Sequence, residues 1–231
     1  MSQQIRYSLI GAAIVTVILV IGYLAVRTNK SADVKATKSA IADESGSSRA
    51  QKINELMQVK DIDVVFGDEN APITMIEYAS YSCSHCANFS LRVFPDIKEE
   101  FIDTGKVKFI LRDFPLDEPS LRASQLSRCI NKDGYAALSK TLFQQRQNWA
   151  FSKDFPEKLE NIAKIIGVSG KQFHDCMADK ELEEKILNYR YNVSNTFNIS
   201  STPSFIINGK KYNGNNSFSA MSEYLMKLLE E

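Results

Sequence analysis

The sequence predicts an α/β fold interrupted by a block of helices, and three observations carry that expectation. Ile73–Ala79 and Val107–Phe114 are short apolar runs of strand type. Between them Phe89, Val93, Ile97 and Phe101 recur at i+4, so a helix makes the crossover that parallel strands require. From Pro119 to about Asn195 the apolar period is helical throughout. After it, Thr202–Tyr212 reads as strand, Asn208-Gly209 turn and strand, and Phe218, Met221, Tyr224, Leu225 and Leu228 mark a terminal amphipathic helix.

A chain of 231 residues can bury one good-sized core, or one core plus an inserted subdomain. Lys and Arg number 28, Asp and Glu 28, and the formal net charge is zero. No basic field argues for nucleic acid.

Taken in order, the chain opens with Leu9–Val26, which carries no charge. At 1.5 Å per residue it makes a helix of about 27 Å, close to the thickness of a bilayer core. Val26 is followed by Arg27, Thr28, Asn29 and Lys30, and the nearest Ala-x-Ala, at Ala40–Ala42, is far downstream. An uncleaved anchor is therefore expected, with a cleaved signal as the alternative. Thr28–Gln58 is polar and small until Ile53 and reads as a flexible tether of about 30 Å root-mean-square span, with a short helix over Arg49–Met57. Asp61–Phe66 reads as a first strand and Gly67–Pro72 as a turn.

The strand Ile73–Ala79 leads through a tight turn to Cys83-Ser-His-Cys86 at the start of the next helix, which Pro95 should kink and Gly105 should end. Free N–H groups and the helix dipole both favour an anion at that start. The placement should lower the Cys83 pKa and make its thiolate reactive. A Cys-x-x-Cys alone also serves zinc and haem sites. Zinc needs a second ligand pair, and Cys129 and Cys176 stand apart; haem attachment needs His after the second Cys, and Ala87 is there. The redox reading is left, with Cys83 attacked by a substrate thiolate and Cys86, further into the helix, the leaving group. His85, between them, would stabilise the Cys83 anion. Glu77, in the central strand, is a carboxylate among Ile76, Tyr78 and Ala79; if buried it needs a partner or a proton, and Arg112 and Asp113 are candidate partners.

In combination, Cys83-Ser-His-Cys86 after a strand, Thr202-Pro203 before a strand and hairpin, the helical block between them and the phrase VKFILRDFP at Val107–Pro115 resemble the DsbA-like branch of the thioredoxin superfamily, over about Val59–Glu231. The resemblance implies a thioredoxin fold with an inserted helical subdomain. It also implies a protein thiol:disulfide oxidoreductase outside the cytoplasm, with no cofactor beyond the redox-active Cys83–Cys86 pair and no metal. The family's site residues fall here on Cys83, His85, Cys86 and Pro203, with Thr202 before a cis bond and Glu77 as the buried acid beneath the disulfide. Cys129 and Cys176 each lie on the apolar face of a helix in the insertion, and in an oxidising compartment they should pair as a structural disulfide. Closing that loop of roughly 48 residues would contribute about 4 kcal/mol in the chain-entropy model.

The expected organisation is residues 1–28 as membrane anchor or signal, 29–58 as linker, 59–118 and 182–231 as the thioredoxin-fold domain, and 119–181 as the insertion. Three functions compete. One is a membrane-tethered oxidase that installs disulfides in exported, reduced proteins, recycled by a quinone-linked membrane reoxidase of the DsbB type. The second is a reductase or isomerase on the same fold, and the third is a non-catalytic tethered binding module.

Overall fold

The computed structural model describes residues 49–231. The chain divides into two units, Met1–Gln51 and Lys52–Glu231, and the sheet lies in the second. The expected membrane span Leu9–Val26 lies outside the described residues. Among those described, no helix is long and apolar enough to cross a membrane.

Five strands form one sheet in the order β1-β3-β2-β4-β5: β1 Val65–Phe66, β2 Ile73–Ala79, β3 Val107–Asp113, β4 Ser204–Ile207 and β5 Lys210–Tyr212. β2 and β3 run parallel, with Ile73 opposite Val107 and Ala79 opposite Asp113, and every other pairing is antiparallel. β2 is covered on both faces, which is why its sequence is a near-continuous apolar run rather than an alternation. Alternation still sorts the faces. Met75, Ala79, Phe109, Leu111, Phe205 and Ile207 join one core, and Ile76, Tyr78, Ile110 and Ile206 join the other.

Helices cover both faces. On the second face lie the residues of α1 (residues 49–57) that belong to this unit, through Ile53, Leu56 and Met57, and the long α9 (Lys180–Phe197), through Val193 and Phe197. The last residues of the stretch expected as linker are thus ordered by apolar contact, Leu56 being 7% exposed. The first face carries the cysteine helix, the helical block and α10 (Phe218–Glu230), whose Met221 and Leu225 are buried.

The cysteine helix is four pieces: α2 Ser84–Asn88, a π-helical turn Phe89–Val93, α3 Phe94–Ile97, and a second π turn Lys98–Ile102. Pro95, at the start of α3, has no N–H to donate to the preceding turn, so the helix widens on its N-terminal side. Of the expected i+4 stripe, Phe89, Ile97 and Phe101 are buried and Val93 is half-buried.

Between β3 and β4 run α4 (Glu118–Arg128), α5 (Lys132–Gln144), α6 (Arg146–Trp149), α7 (Phe155–Ile165), α8 (Gly170–Ala178) and α9. Several start on side-chain caps: Asp117 on Ser120 N–H, Ser169 on Gln172 N–H, and Asp179 on Leu182 N–H. Trp149 is fully buried and donates its indole N–H to the Leu142 carbonyl. Cys129, at the end of α4, is joined to Cys176 of α8, with Sγ–Sγ 1.96 Å and Cα–Cα 5.9 Å. The β4–β5 turn has Asn208 at φ 46° and Gly209 at φ 77°, the left-handed pair that Asn-Gly favours.

The first strand is shorter than expected. Residues 60–63 close a turn instead, with Asp63 N–H donating to the Lys60 carbonyl and Lys60 N–H to the Asp63 carboxylate. Asp63 is drawn inward, 4% exposed, to meet Arg112 at 2.6 Å. Only Val65 and Phe66 remain to pair with β3. Gly67 then turns the chain at φ +90°, where a Cβ would stand 2.6 Å from the Val107 carbonyl oxygen, so only glycine fits.

Candidate active site

β2 ends at Ala79, and the loop Ser80-Tyr81-Ser82 delivers the chain to Cys83. All three loop residues are buried. The Tyr81 hydroxyl donates to Ser139 of α5 at 3.3 Å and its ring packs on Phe143 with centroids 4.8 Å apart. The Ser80 and Ser82 hydroxyls lie 3.1 Å apart, and Arg146 donates to the Ser82 carbonyl at 3.1 Å.

Cys83 is the N-cap of α2, with extended backbone (φ −79°, ψ 128°). Its sulfur accepts from the Cys86 backbone N–H at 3.4 Å, and as a thiol it donates to the Thr202 carbonyl at 3.3 Å. Cys86 is completely buried, whereas Cys83 is part-exposed. Both carry free thiols. The two sulfurs differ sharply in acidity. Cys83 is lowered to about 5, chiefly by the Cys86 thiol donating to it; burial opposes this, and the backbone N–H groups of Cys86 and His85 add to it. Cys86 is pushed far up by burial, then by its bond to Cys83 and the charges of Glu77 and Cys83.

Thr202 and Pro203 reach Cys83 because β4 runs antiparallel to β2 with Ser204 opposite Tyr78. The residues just before β4 therefore lie beside the loop that follows β2. The Thr202–Pro203 bond is cis. Beyond them an open groove of ≈ 690 Å³ runs past His85, Val93, Thr202, Pro203, Asn215 and Phe218. The imidazole of His85 is exposed in that groove, and its backbone N–H is what bears on Cys83.

Glu77 is 2% exposed, and its Oε1 has no hydrogen-bond partner. Neither candidate partner reaches it. Arg112 emerges on the opposite face of the sheet, with Ile110, and binds Asp63, the Tyr78 hydroxyl and the carbonyls of Leu56 and Gln58. Asp113 shares the face of Glu77 but stands opposite Ala79, two residues on, and pairs with Arg128 at 2.6 Å. Glu77 instead borders a cavity of ≈ 270 Å³ walled by Leu91, Phe94, Phe109 and Leu111. Burial, and secondarily the Cys83 charge, raises its pKa well above the usual carboxylate range.

That shift carries a stability consequence. An unfolded Glu ionises near pH 4.5 while the folded one keeps its proton. The stability is therefore full below that pH and is lost as pH rises, at up to about 1.4 kcal/mol per pH unit. With Cys83 and Cys86 oxidised, so that their thiols do not titrate, Glu77→Gln is expected to remove this decline in denaturant unfolding above pH 5. Parallel pH profiles for the two proteins would show that Glu77 is ionised in the fold.

The site thus gathers Cys83, Cys86, the His85 backbone, Thr202 and Pro203, with Glu77 beneath. The Cys129–Cys176 disulfide belongs to the helical block. Sequence reading did not single out Ser80, Ser82 or Arg146. The two serines directly precede the cysteine motif and could have been noticed, whereas Arg146 lies 63 residues from Cys83 and nothing in its surroundings marks it.

The thioredoxin family profile matches residues 60–227. A Rickettsia felis protein provisionally named a protein-disulfide oxidoreductase is 33% identical over 192 residues, covering 80% of this chain and 68% of its own. The crystal structure of Wolbachia pipientis alpha-DsbA1 superposes with TM-score 0.71 at 35% identity, covering 77% of this chain and 96% of that one. BdbD from Bacillus subtilis shares the fold at 24% identity and TM-score 0.64, over 74% and 94% of the two chains. With a dithiol of split acidity at a helix start facing a cis-proline, this chain belongs to the thioredoxin superfamily, in its DsbA-like branch of protein-disulfide oxidoreductases.

Proposed function

We propose that this oxidoreductase works as a dithiol oxidase, introducing disulfides into reduced, exported proteins. The observation that carries the reading is the acidity of Cys83. A thiolate stabilised at about pH 5 lowers the free energy of the reduced enzyme, which makes the Cys83–Cys86 disulfide a stronger oxidant. In the forward reaction a substrate thiolate attacks Cys83 Sγ, a mixed disulfide forms, and the Cys83–Cys86 bond breaks. Cys86 leaves and takes a proton, which Glu77 is placed to supply. A second substrate thiolate attacks the substrate sulfur of the mixed disulfide and expels Cys83 as a thiolate. Two electrons pass from the substrate dithiol to the enzyme dithiol, and the Thr202–Pro203 backbone offers an edge along which the substrate strand can lie.

The reduced enzyme must then be reoxidised, and a quinone-linked membrane reoxidase of the DsbB type is the partner this reading requires. An anchor at residues 9–26 would hold the enzyme in the plane of such a partner, outside the cytoplasm. The disulfide between Cys129 and Cys176 supports that compartment, because such bonds persist where the surroundings are oxidising.

The test is the redox equilibrium of the full chain with glutathione at pH 7. A potential well above the roughly −270 mV of a reducing thioredoxin is expected. A value near that figure would reverse the direction of electron flow and make the protein a reductase or isomerase.

A further inference from the structure

Arg146 is buried, yet it meets no carboxylate among the described residues. The other deeply placed guanidiniums do: Arg112 holds Asp63 and Arg128 holds Asp113, each at 2.6 Å. A buried cation without an anion is unfavourable, so its place calls for a reason. Arg146 Nη1 donates to the Ser82 carbonyl oxygen at 3.1 Å, and the same peptide bond supplies the Cys83 nitrogen. The ring of Phe151 lies against the guanidinium at 5.1 Å. That ring is 67% exposed while Arg146 is 9% exposed, so the aromatic face stands between the cation and water.

We propose that Arg146 is a positioning residue for the exchange reaction: fixed on the Ser82 carbonyl, its guanidinium holds the loop that delivers Cys83 and sets an unpaired positive charge near the Cys83 thiolate. The proposal deepens the reading of Cys83 as the exchanging sulfur and rests on it. Bond lengths bound the separation. The hydrogen bond spans 3.1 Å, and the path from the Ser82 oxygen through the peptide and the Cys83 side chain adds at most about 7 Å, so cation and sulfur lie within about 10 Å. At that distance, with an effective dielectric of about 20 to 40, a unit charge lowers the pKa of a thiol by about 0.6 to 1.2, or 4- to 16-fold in ionisation. Hydrogen bonds made to Cys83 Sγ itself set most of its acidity, and Arg146 adds to them from the other end of the Ser82–Cys83 peptide. The nearby carboxyl groups do not cancel it. Asp113 is taken by Arg128, and Glu77, buried with Oε1 unpartnered, keeps its proton.

The experiment takes the full chain and its Arg146→Met and Arg146→Lys variants through three measurements: the ultraviolet thiolate absorbance of the reduced enzyme against pH, the equilibrium with glutathione at pH 7, and denaturant unfolding. Arg146→Met removes the charge and keeps an apolar stem. It is expected to raise the Cys83 pKa by about 0.6 to 1.2 and to move the equilibrium about 4- to 16-fold toward oxidised enzyme, because the thiolate of the reduced form loses stabilisation. Arg146→Lys keeps the charge and is expected to hold both readouts within about twofold of the unmodified chain, even where it unfolds more easily. Both readouts are differences from the unmodified chain, so they are interpretable whether its absolute potential is that of an oxidase or of a reductase. If Arg146→Met lowers stability but leaves the Cys83 pKa and the glutathione equilibrium unmoved, the guanidinium is only a brace and the proposal is overturned. Equal shifts in the Met and Lys variants also overturn it, since the charge is then not the agent. Should Arg146→Met not fold, Phe151→Ala decides. It opens the guanidinium to water, and doubling the local dielectric is expected to move both readouts in the same direction by about 2- to 4-fold; no movement overturns the proposal.

Discussion

Raising the pH from 5 to about 8.5 is expected to shift the equilibrium with glutathione roughly tenfold per pH unit toward reduced enzyme and oxidised glutathione. Proton counting gives the slope. Cys83 ionises at about 5 and Cys86 far above the ordinary thiol range, so reduction of the disulfide in this window takes up one proton and leaves a thiolate and a thiol. Two glutathione thiols release two protons on oxidation until they ionise near pH 8.5. The net reaction liberates one proton, and its apparent constant scales inversely with proton activity. In potential, the enzyme couple should fall by about 30 mV per pH unit above pH 5 and by about 59 mV below it. The sign follows from the depressed pKa: stabilisation of the reduced form is complete above the ordinary thiol pKa and vanishes as pH falls through 5. Over the whole window the change is about three thousandfold, measurable by quenching redox mixtures with acid and resolving the two forms. A constant that does not move with pH would mean that Cys83 is protonated in the reduced enzyme and that the site lacks its anion.

Replacing Asp63 with Ala is expected to cost about 3–5 kcal/mol of stability, lowering the melting temperature of a unit this size by about 6–20 °C. Asp63 and Arg112 are 4% and 5% exposed and meet at 2.6 Å. The guanidinium also binds the carbonyls of Leu56 and Gln58, so the pair fastens the end of α1 to the sheet. Removing the carboxylate leaves a buried cation with only neutral acceptors. The double replacement Asp63→Leu with Arg112→Met should recover much of the loss, because a buried ion pair and an apolar pair of similar volume are often close in free energy. Denaturant unfolding of Asp63→Leu, Arg112→Met and the double variant closes the cycle and gives the coupling directly. A cost for Asp63→Ala below about 1 kcal/mol would show that water reaches the guanidinium and that the clamp is a surface contact.

Elements built from local preference were legible in the residues themselves. β2 came from its apolar run, the crossover from the i+4 stripe of Phe89, Ile97 and Phe101, and the β4–β5 turn from Asn208-Gly209, because each depends on neighbours a few positions away. The same holds for Cys83 at the start of α2, where the change from strand to helix is written within ten residues. The extent of β1 was not legible, since residues 61–63 look extended until a carboxylate turns inward to a guanidinium 49 residues on. Nor was the isolation of Glu77. One sheet face separates it from Arg112, and that face is decided by pairing register rather than by closeness in sequence. Arg146 under Phe151, against the Ser82 carbonyl, is of the same kind. Sequence periodicity records which side of an element is apolar, but only the packed sheet and helical block decide which distant polar group meets which, because those contacts are selected by burial across the whole core.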